Sequence, residues 1–288
     1  MPRLEPTGPN AEQIKYWNEV SGPKWVALND FVDAQLAPLG VQAMDRAGIE
    51  PGAHVLDVGC GCGNTTMELA RRVGPSGRVT GIDISSVMLE RARATAHAAG
   101  LSHVHFENAD AQTFRFPPRS FHLVFSRFGI MFFAHPEDAF ANLRSALRPG
   151  GRVTFVCWRS IQQNAWMLVP LMAAAQHIAL PPAPAPNAPG PFSFADDRRV
   201  RSVLTGAGFA DITVEPLDTT LSIGGGLTLD QTVDLLLQMG PLGAAMREAG
   251  GTARPLVAAA VRDAVASFAT PQGVRLQAAA WIVTGYNS

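Results

Sequence analysis

The stretch VLDVGCGCGN (residues 55–64) places Asp57 two residues before Gly59 and then sets Gly61 and Gly63 at alternate positions. Glycines at this spacing, between an apolar run and a helix-compatible one, form a turn that ligand atoms can approach closely. Free amide hydrogens stand at the helix start that follows. Three alternating glycines exceed what an ordinary strand-to-helix turn needs. Asp83 ends the next apolar run, GRVTGID, and a carboxylate at the tip of a second strand is placed to accept hydrogen bonds from both hydroxyls of a ribose. Asp57 narrows the ligand: a carboxylate beside the loop repels a pyrophosphate and suits a ligand bearing an ammonium and a sulfonium. The G-x-G-x-G spacing also departs from the G-x-G-x-x-G of dinucleotide sites.

These residues need a frame. Short apolar, β-branched or aromatic runs at 53–58, 77–84, 103–108, 121–126 and 151–158 have the composition of buried parallel strands. Helix-length segments at 64–72, 86–99 and 136–147 separate them, with Ser85 or Ser86 as a cap, Gly100 as a stop and Pro136 suited to a first helical position. The alternation predicts a doubly wound α/β sheet. Ahead of it, Ile14, Trp17, Val20, Phe31, Leu36 and Met44 recur at helical spacing, with interruptions at Gly22-Pro23 and Pro38. Residues 1–9 read as a loose tail. Beyond the fifth strand, 163–180 reads as a helix, 181–191 as a proline-rich loop, 196–206 as a helix, 210–217 as a strand, 222–275 as helical and 278–286 as a terminal strand.

The chain has 288 residues, 47% of them hydrophobic and 16% charged, with a formal net charge of -1. That balance disfavours a nucleic-acid binder. Cys60, Cys62 and Cys157 cannot make a disulfide framework, the opening MPRLEPTGPN lacks an apolar signal region, and no run approaches the roughly 20 apolar residues that span a bilayer. A cytoplasmic protein follows. Cys60 and Cys62 lack a ligand-rich partner segment, so they read as small loop fillers and no metal is expected. His54, His103 and His105 flank strands and read as paired or surface groups.

In motif and order the chain resembles the class I S-adenosylmethionine-dependent methyltransferases, an acidic residue followed by G-x-G-x-G being their first motif. GIDIS, NADAQTF (108–114), FHLVFSRFGIMFF (121–133) and LRPGGRVTFVCW (147–158) match the later motifs. The resemblance covers residues 50–158 firmly and, within the class, is closest to small-molecule enzymes of the quinone-biosynthesis type. It implies a seven-stranded Rossmann-like sheet of order 3-2-1-4-5-7-6 with N-terminal helices and helical lid insertions. It further implies an N-terminal tail and helical cap (1–50), a cofactor-binding core (51–158), and substrate-covering helices with closing strands (159–288).

S-adenosylmethionine is the implied cofactor. Asp57, Gly59, Gly61 and Gly63 would place its methionine moiety, Asp83 and Ile84 the ribose, and Asp110 with Ala111 the adenine. Ser126 falls in the fourth motif beside the cofactor. Trp17 and Trp25 would fold over the cofactor or pack an amphipathic helix. Arg127 and Phe128 would meet substrate, with bracing of the loop as the other role for Arg127. His135 would be a general base or simply a polar helix start.

The implied function is methyl transfer to a small, apolar or aromatic acceptor, with a homodimer left open. A nicotinamide-dependent oxidoreductase and a non-catalytic cofactor-binding regulator are the alternatives. Ser126-Arg127-Phe128-Gly129 lacks the Asn-Pro-Pro-aromatic arrangement that grips a flipped base, which disfavours DNA amino-methylation.

Overall fold

A computed structural model describes residues 4–185 and 187–288. Five short apolar runs pair as parallel strands: β1 (His54–Val58), β2 (Arg78–Asp83), β3 (Val104–Asn108), β4 (Phe121–Arg127) and β5 (Leu147–Trp158). β6 (Ala210–Ile223) and β8 (Gly273–Tyr286) join antiparallel, and the two-residue β7 (Ala269–Thr270) pairs with the start of β8. The order is β3-β2-β1-β4-β5-β8-β6, with β7 off that path. Setting β7 aside, this is the 3-2-1-4-5-7-6 sheet that the resemblance implies. The order reverses between β1 and β4, and such a reversal opens a crevice at the carboxyl ends of the strands.

Helices α1 (Ala11–Glu19), α2 (Ser21–Ala27) and α3 (Asn29–Ala47) precede the sheet. α4 (Asn64–Val73), α5 (Ser86–Ala98) and α6 (Pro136–Ala146) make the crossovers; α7 (Ala165–Ala174) and α8 (Asp197–Gly206) join β5 to β6. Between β6 and β8 lie α9 (Leu229–Leu236), α10 (Gly240–Ala249) and α11 (Arg254–Ala266). Phe125, Phe140, Phe155 and Phe194 are among the largest fully buried side chains, so the sheet carries the core. Among the described residues, no helix is long and apolar enough to cross a membrane.

α3 fixes one end of the fold against the other. At its start, Asn64 Nδ2 at the head of α4 donates to Asn29 Oδ1 (3.1 Å). At its end, Arg152 Nε donates to the Ala47 carbonyl (2.6 Å), satisfying one of the orphan carbonyls of a helix terminus. α3 therefore begins beside the carboxyl ends of the strands and finishes beside their amino ends.

Four expectations need correction. Pro38 lies inside α3 and the helix continues through it. The helix expected over 163–180 spans only Ala165–Ala174. The segment 222–275 is not helical throughout, because β6 runs on to Ile223 and β8 begins at Gly273, with a ladder continuing to the Ile223↔Val274 pair. The polar alternation of Asp218 to Ser222 conceals that strand until β8 supplies its partner. Last, the described tail is anchored at one point: Leu4 N donates to Asn108 Oδ1 (3.0 Å), while residues 5–9 are exposed and without helix or strand. Residues 1–3 of that tail and Pro186 of the proline-rich loop lie outside the described residues.

Candidate cofactor and acceptor site

β1 delivers the chain into the glycine loop. Gly59 has φ 67° and Gly61 φ 56°, in the left-handed region that favours glycine. A Cβ on Gly59 would stand 2.7 Å from Gly129 Cα, and one on Gly61 would stand 2.8 Å from Met88 Cε. Gly63 precedes α4 as its N-cap. The glycines thus let the loop lie against the exit of β4 and against α5.

Asp57, 1% exposed, sits beneath this loop. Thr66 Oγ1 donates to its Oδ2 (2.6 Å), while Oδ1 has no partner among the described residues. Burial pushes its carboxyl up to about 7, with the Thr66 hydroxyl and the Arg127 charge opposing and Asp83 adding to the rise. Asp83 accepts from Gly61 N and Ser85 N, both at 2.8 Å. Its carboxyl is raised by burial against those backbone donors.

The N-terminal helices close over the loop that follows Asp83. Asn18, buried on α1, donates to the Ile84 carbonyl (2.9 Å) and accepts from Ser86 N (3.0 Å). The Trp17 carbonyl accepts from Ser85 Oγ (2.8 Å), and the Trp17 ring meets Trp25 at 5.8 Å and Phe132 at 5.3 Å between centroids, both edge-on.

Past β3, Asp110 is buried and accepts Gln112 N (2.9 Å) and the side-chain amide of Asn10. Asn10 also donates to Gln112 Oε1 (3.1 Å) and accepts from Ala134 N (2.8 Å). The Ala111 carbonyl accepts from Asn142 Nδ2 (2.9 Å). His135 lies exposed at the N-cap of α6; its backbone N donates to Gln112 Oε1 (3.2 Å), and its ring makes no hydrogen bond among the described residues.

At the end of β4, Ser126 Oγ donates to the Val58 carbonyl (2.7 Å) and accepts from Gly129 N (3.2 Å), so its hydroxyl ties β4 to β1. Arg127 pairs with Asp33 of α3 (2.8 Å). Phe128, at φ 61°, stacks on Trp158 with centroids 4.0 Å apart. Cys60, Cys62 and Cys157 are buried free thiols, and burial raises the pKa of each, that of Cys62 to about 12.

The crevice is therefore bordered by three carboxylates that only accept hydrogen bonds when ionised. Such an acceptor set fits a ligand offering N–H and O–H groups and positive charge, and it disfavours a pyrophosphate. Residues 55–151 match the family described as "Methyltransferase domain". That stretch is a methyltransferase domain. It holds the glycine loop, Asp83, Asp110 and β4.

Over 118 residues the chain is 38% identical to the aklanonic acid methyltransferase DauC of Streptomyces sp. (strain C5), covering 41% of this chain and 54% of that one. Over 150 residues it is 33% identical to the ubiquinone/menaquinone biosynthesis C-methyltransferase UbiE of Ectopseudomonas mendocina, covering 51% and 59%. The chain thus spans somewhat more than half the length of the curated relatives it matches. In fold it resembles the YcgJ protein of Bacillus subtilis, with a TM-score of 0.56 at 16% identity over 86% of this chain and 97% of that one. It also resembles Haemonchus contortus phosphoethanolamine N-methyltransferase 2, solved with S-adenosyl-L-methionine, with a TM-score of 0.53 at 18% identity over 86% and 52%.

Sequence reasoning missed Asn10, Asn18, Thr66 and Gln112. Thr66 had an available signal, since it lies one helical turn beyond the loop and faces back toward β1. The others act across long sequence separations.

Proposed function

We propose that this chain transfers a methyl group from S-adenosylmethionine to a small, apolar or aromatic acceptor at oxygen, nitrogen or carbon. One observation carries the reading: the buried Asp57 Oδ1 is an acceptor without a donor, beneath a glycine loop flanked by Asp83. When bound, the cofactor supplies a methyl carbon on a cationic sulfonium. The chain's part is to bind, orient and exclude water. Asp57 and the glycine loop hold the methionine end, Asp83 and Ile84 the ribose, and Asp110 with Ala111 the adenine. Trp17 and Trp25 cover them from α1 and α2. Residues 1–50 act as cap, 51–158 as cofactor core and 159–288 as acceptor cover. Ser126 and Arg127 brace the β4 exit, and His135 stays outside the reacting centre.

The names of the relatives support a small-molecule acceptor, and the net charge of -1 agrees. Buried free thiols suit a cytoplasmic setting. The test is a native mass spectrum of the protein incubated with S-adenosylhomocysteine: retention of one equivalent, lost in Asp83→Ala, supports the reading, and no adduct in the wild type contradicts it.

A further inference from the structure

We infer that a cavity at the amino ends of the strands, opposite the cofactor crevice, binds a small phosphate monoester between Arg148, Arg152 and His122. The cavity has a volume of about 210 Å³, and these three side chains line it together with Glu50. Ile49, Val55 and Leu123 supply its apolar surface. His54 opens β1 and His122 stands second in β4, whereas the glycine loop and Ser126 lie at the other ends of those strands. The proposed methyl transfer uses none of these three residues.

Among the described residues, neither arginine has a carboxylate partner. Arg152 gives Nε and Nη2 to the Ala47 and Gly48 carbonyls at the end of α3, which leaves its Nη1 without a hydrogen bond. Arg148 Nη1 faces His122 Nε2, while the His54 backbone N–H faces His122 Nδ1 at 3.0 Å. A neutral imidazole has one acceptor nitrogen, so it serves only one of these two donors, and a protonated ring serves neither. The His54 amide is fixed at the head of β1 and the Arg148 side chain can turn, so Nδ1 takes the amide. Nε2 then bears the proton, and His122 and Arg148 present N–H groups to each other. A bound oxyanion resolves that conflict by accepting from both.

The surroundings agree with an anion. Burial and the charges of Arg148 and His54 hold the His122 imidazole below its ordinary pKa, with the His54 amide contact and Glu50 opposing. Two arginines against one glutamate leave the cavity cationic. Its donors come from three side chains, more than the two oxygens of a flat carboxylate meet well, and they suit the three terminal oxygens of a phosphate. The apolar surface takes the carbon stem of the ester. About 210 Å³ falls below the ~300–1,000 Å³ of pockets for drug-sized ligands, so the ester is small.

The test is an equilibrium titration with phenyl phosphate, benzoate and phenol, with the histidine imidazole signals followed by NMR. The wild type should bind phenyl phosphate saturably, with a dissociation constant at or below about 1 mM, and the other two more weakly. His122→Asn keeps an acceptor for the His54 amide; it and Arg148→Gln should each weaken phenyl phosphate binding at least about tenfold, and Arg148→Lys, which keeps the charge without the fork, by less. Arg262→Gln, which removes one charge outside the cavity, should bind as the wild type does. The signal lost in His122→Asn should titrate at higher pH in the loaded wild type, because an anion beside Nε2 favours the charged ring. Absence of saturable phenyl phosphate binding, its survival in both His122→Asn and Arg148→Gln, an equal loss in Arg262→Gln, or benzoate or phenol binding as tightly overturns the inference.

Discussion

The side-chain amide of Asn10 donates to both carboxylate oxygens of Asp110, at 3.0 and 2.9 Å, joining the head of α1 to the end of β3. Both residues are buried, so this is a charge-assisted clamp rather than a surface contact. Asn10→Ala should lower stability by about 1.5–3 kcal/mol, the scale for hydrogen bonds to a charged group. Hydrogen exchange should accelerate in Ala11–Glu19 while β1 and β4 stay protected. Unchanged exchange in α1 would remove Asn10 as the clamp.

Asp83 orders the loop from both sides, taking Gly61 N with one oxygen and Ser85 N with the other. Asp83→Ala should weaken S-adenosylhomocysteine binding by about 1.5–3 kcal/mol, roughly ten- to a hundredfold, with the fold retained by circular dichroism. Full affinity in the variant would take Asp83 out of the ribose site.

Asp57 should impose a pH dependence. Its folded-state carboxyl titrates at about 7, above an unfolded value near 3.9. A raised acid pKa means that ionisation is disfavoured in the fold. The cost is therefore absent below pH ~4, grows between pH ~4 and ~7, and is complete above. A cationic ligand favours the ionised form, so affinity should rise from pH 5 to 7 and level off beyond. Calorimetry in buffers of different ionisation heat should detect proton release on binding near pH 6. In Asp57→Asn, both the slope and the proton release should vanish; a wild-type affinity flat between pH 5 and 7 would contradict the assignment.

The helices α9, α10 and α11 lie between β6 and β7; if they cover the acceptor as proposed, that cover must open for exchange of ligands. Their amides should exchange faster than those of β1 and β4 in the free protein and gain protection when S-adenosylhomocysteine and an acceptor bind. Protection equal to that of β4 without any ligand would make them permanent core.

What the sequence made legible was local. The glycine loop, Asp83 and Asp110 each sit at the end of a short apolar run, so spacing and residue type place them without tertiary information. Asn10 and Asn18 were not legible, because their partners Asp110 and Ile84 lie far along the chain and an asparagine at a helix start reads as an ordinary cap. The outer half of β6 was hidden because Asp218, Thr219 and Thr220 are polar on both faces and only their ladder with β8 makes them strand.

The central claim is that three acceptor-only carboxylates hold a cationic adenosyl ligand. Its most direct test is a calorimetric titration of the wild-type protein at pH 7.5 with S-adenosylmethionine, S-adenosylhomocysteine and NADH in parallel. The account predicts one site per chain for the first two, with dissociation constants at or below about 1 μM, near -8.2 kcal/mol, and no saturable heat with NADH. Saturable binding of NADH with none of either adenosyl ligand would contradict it.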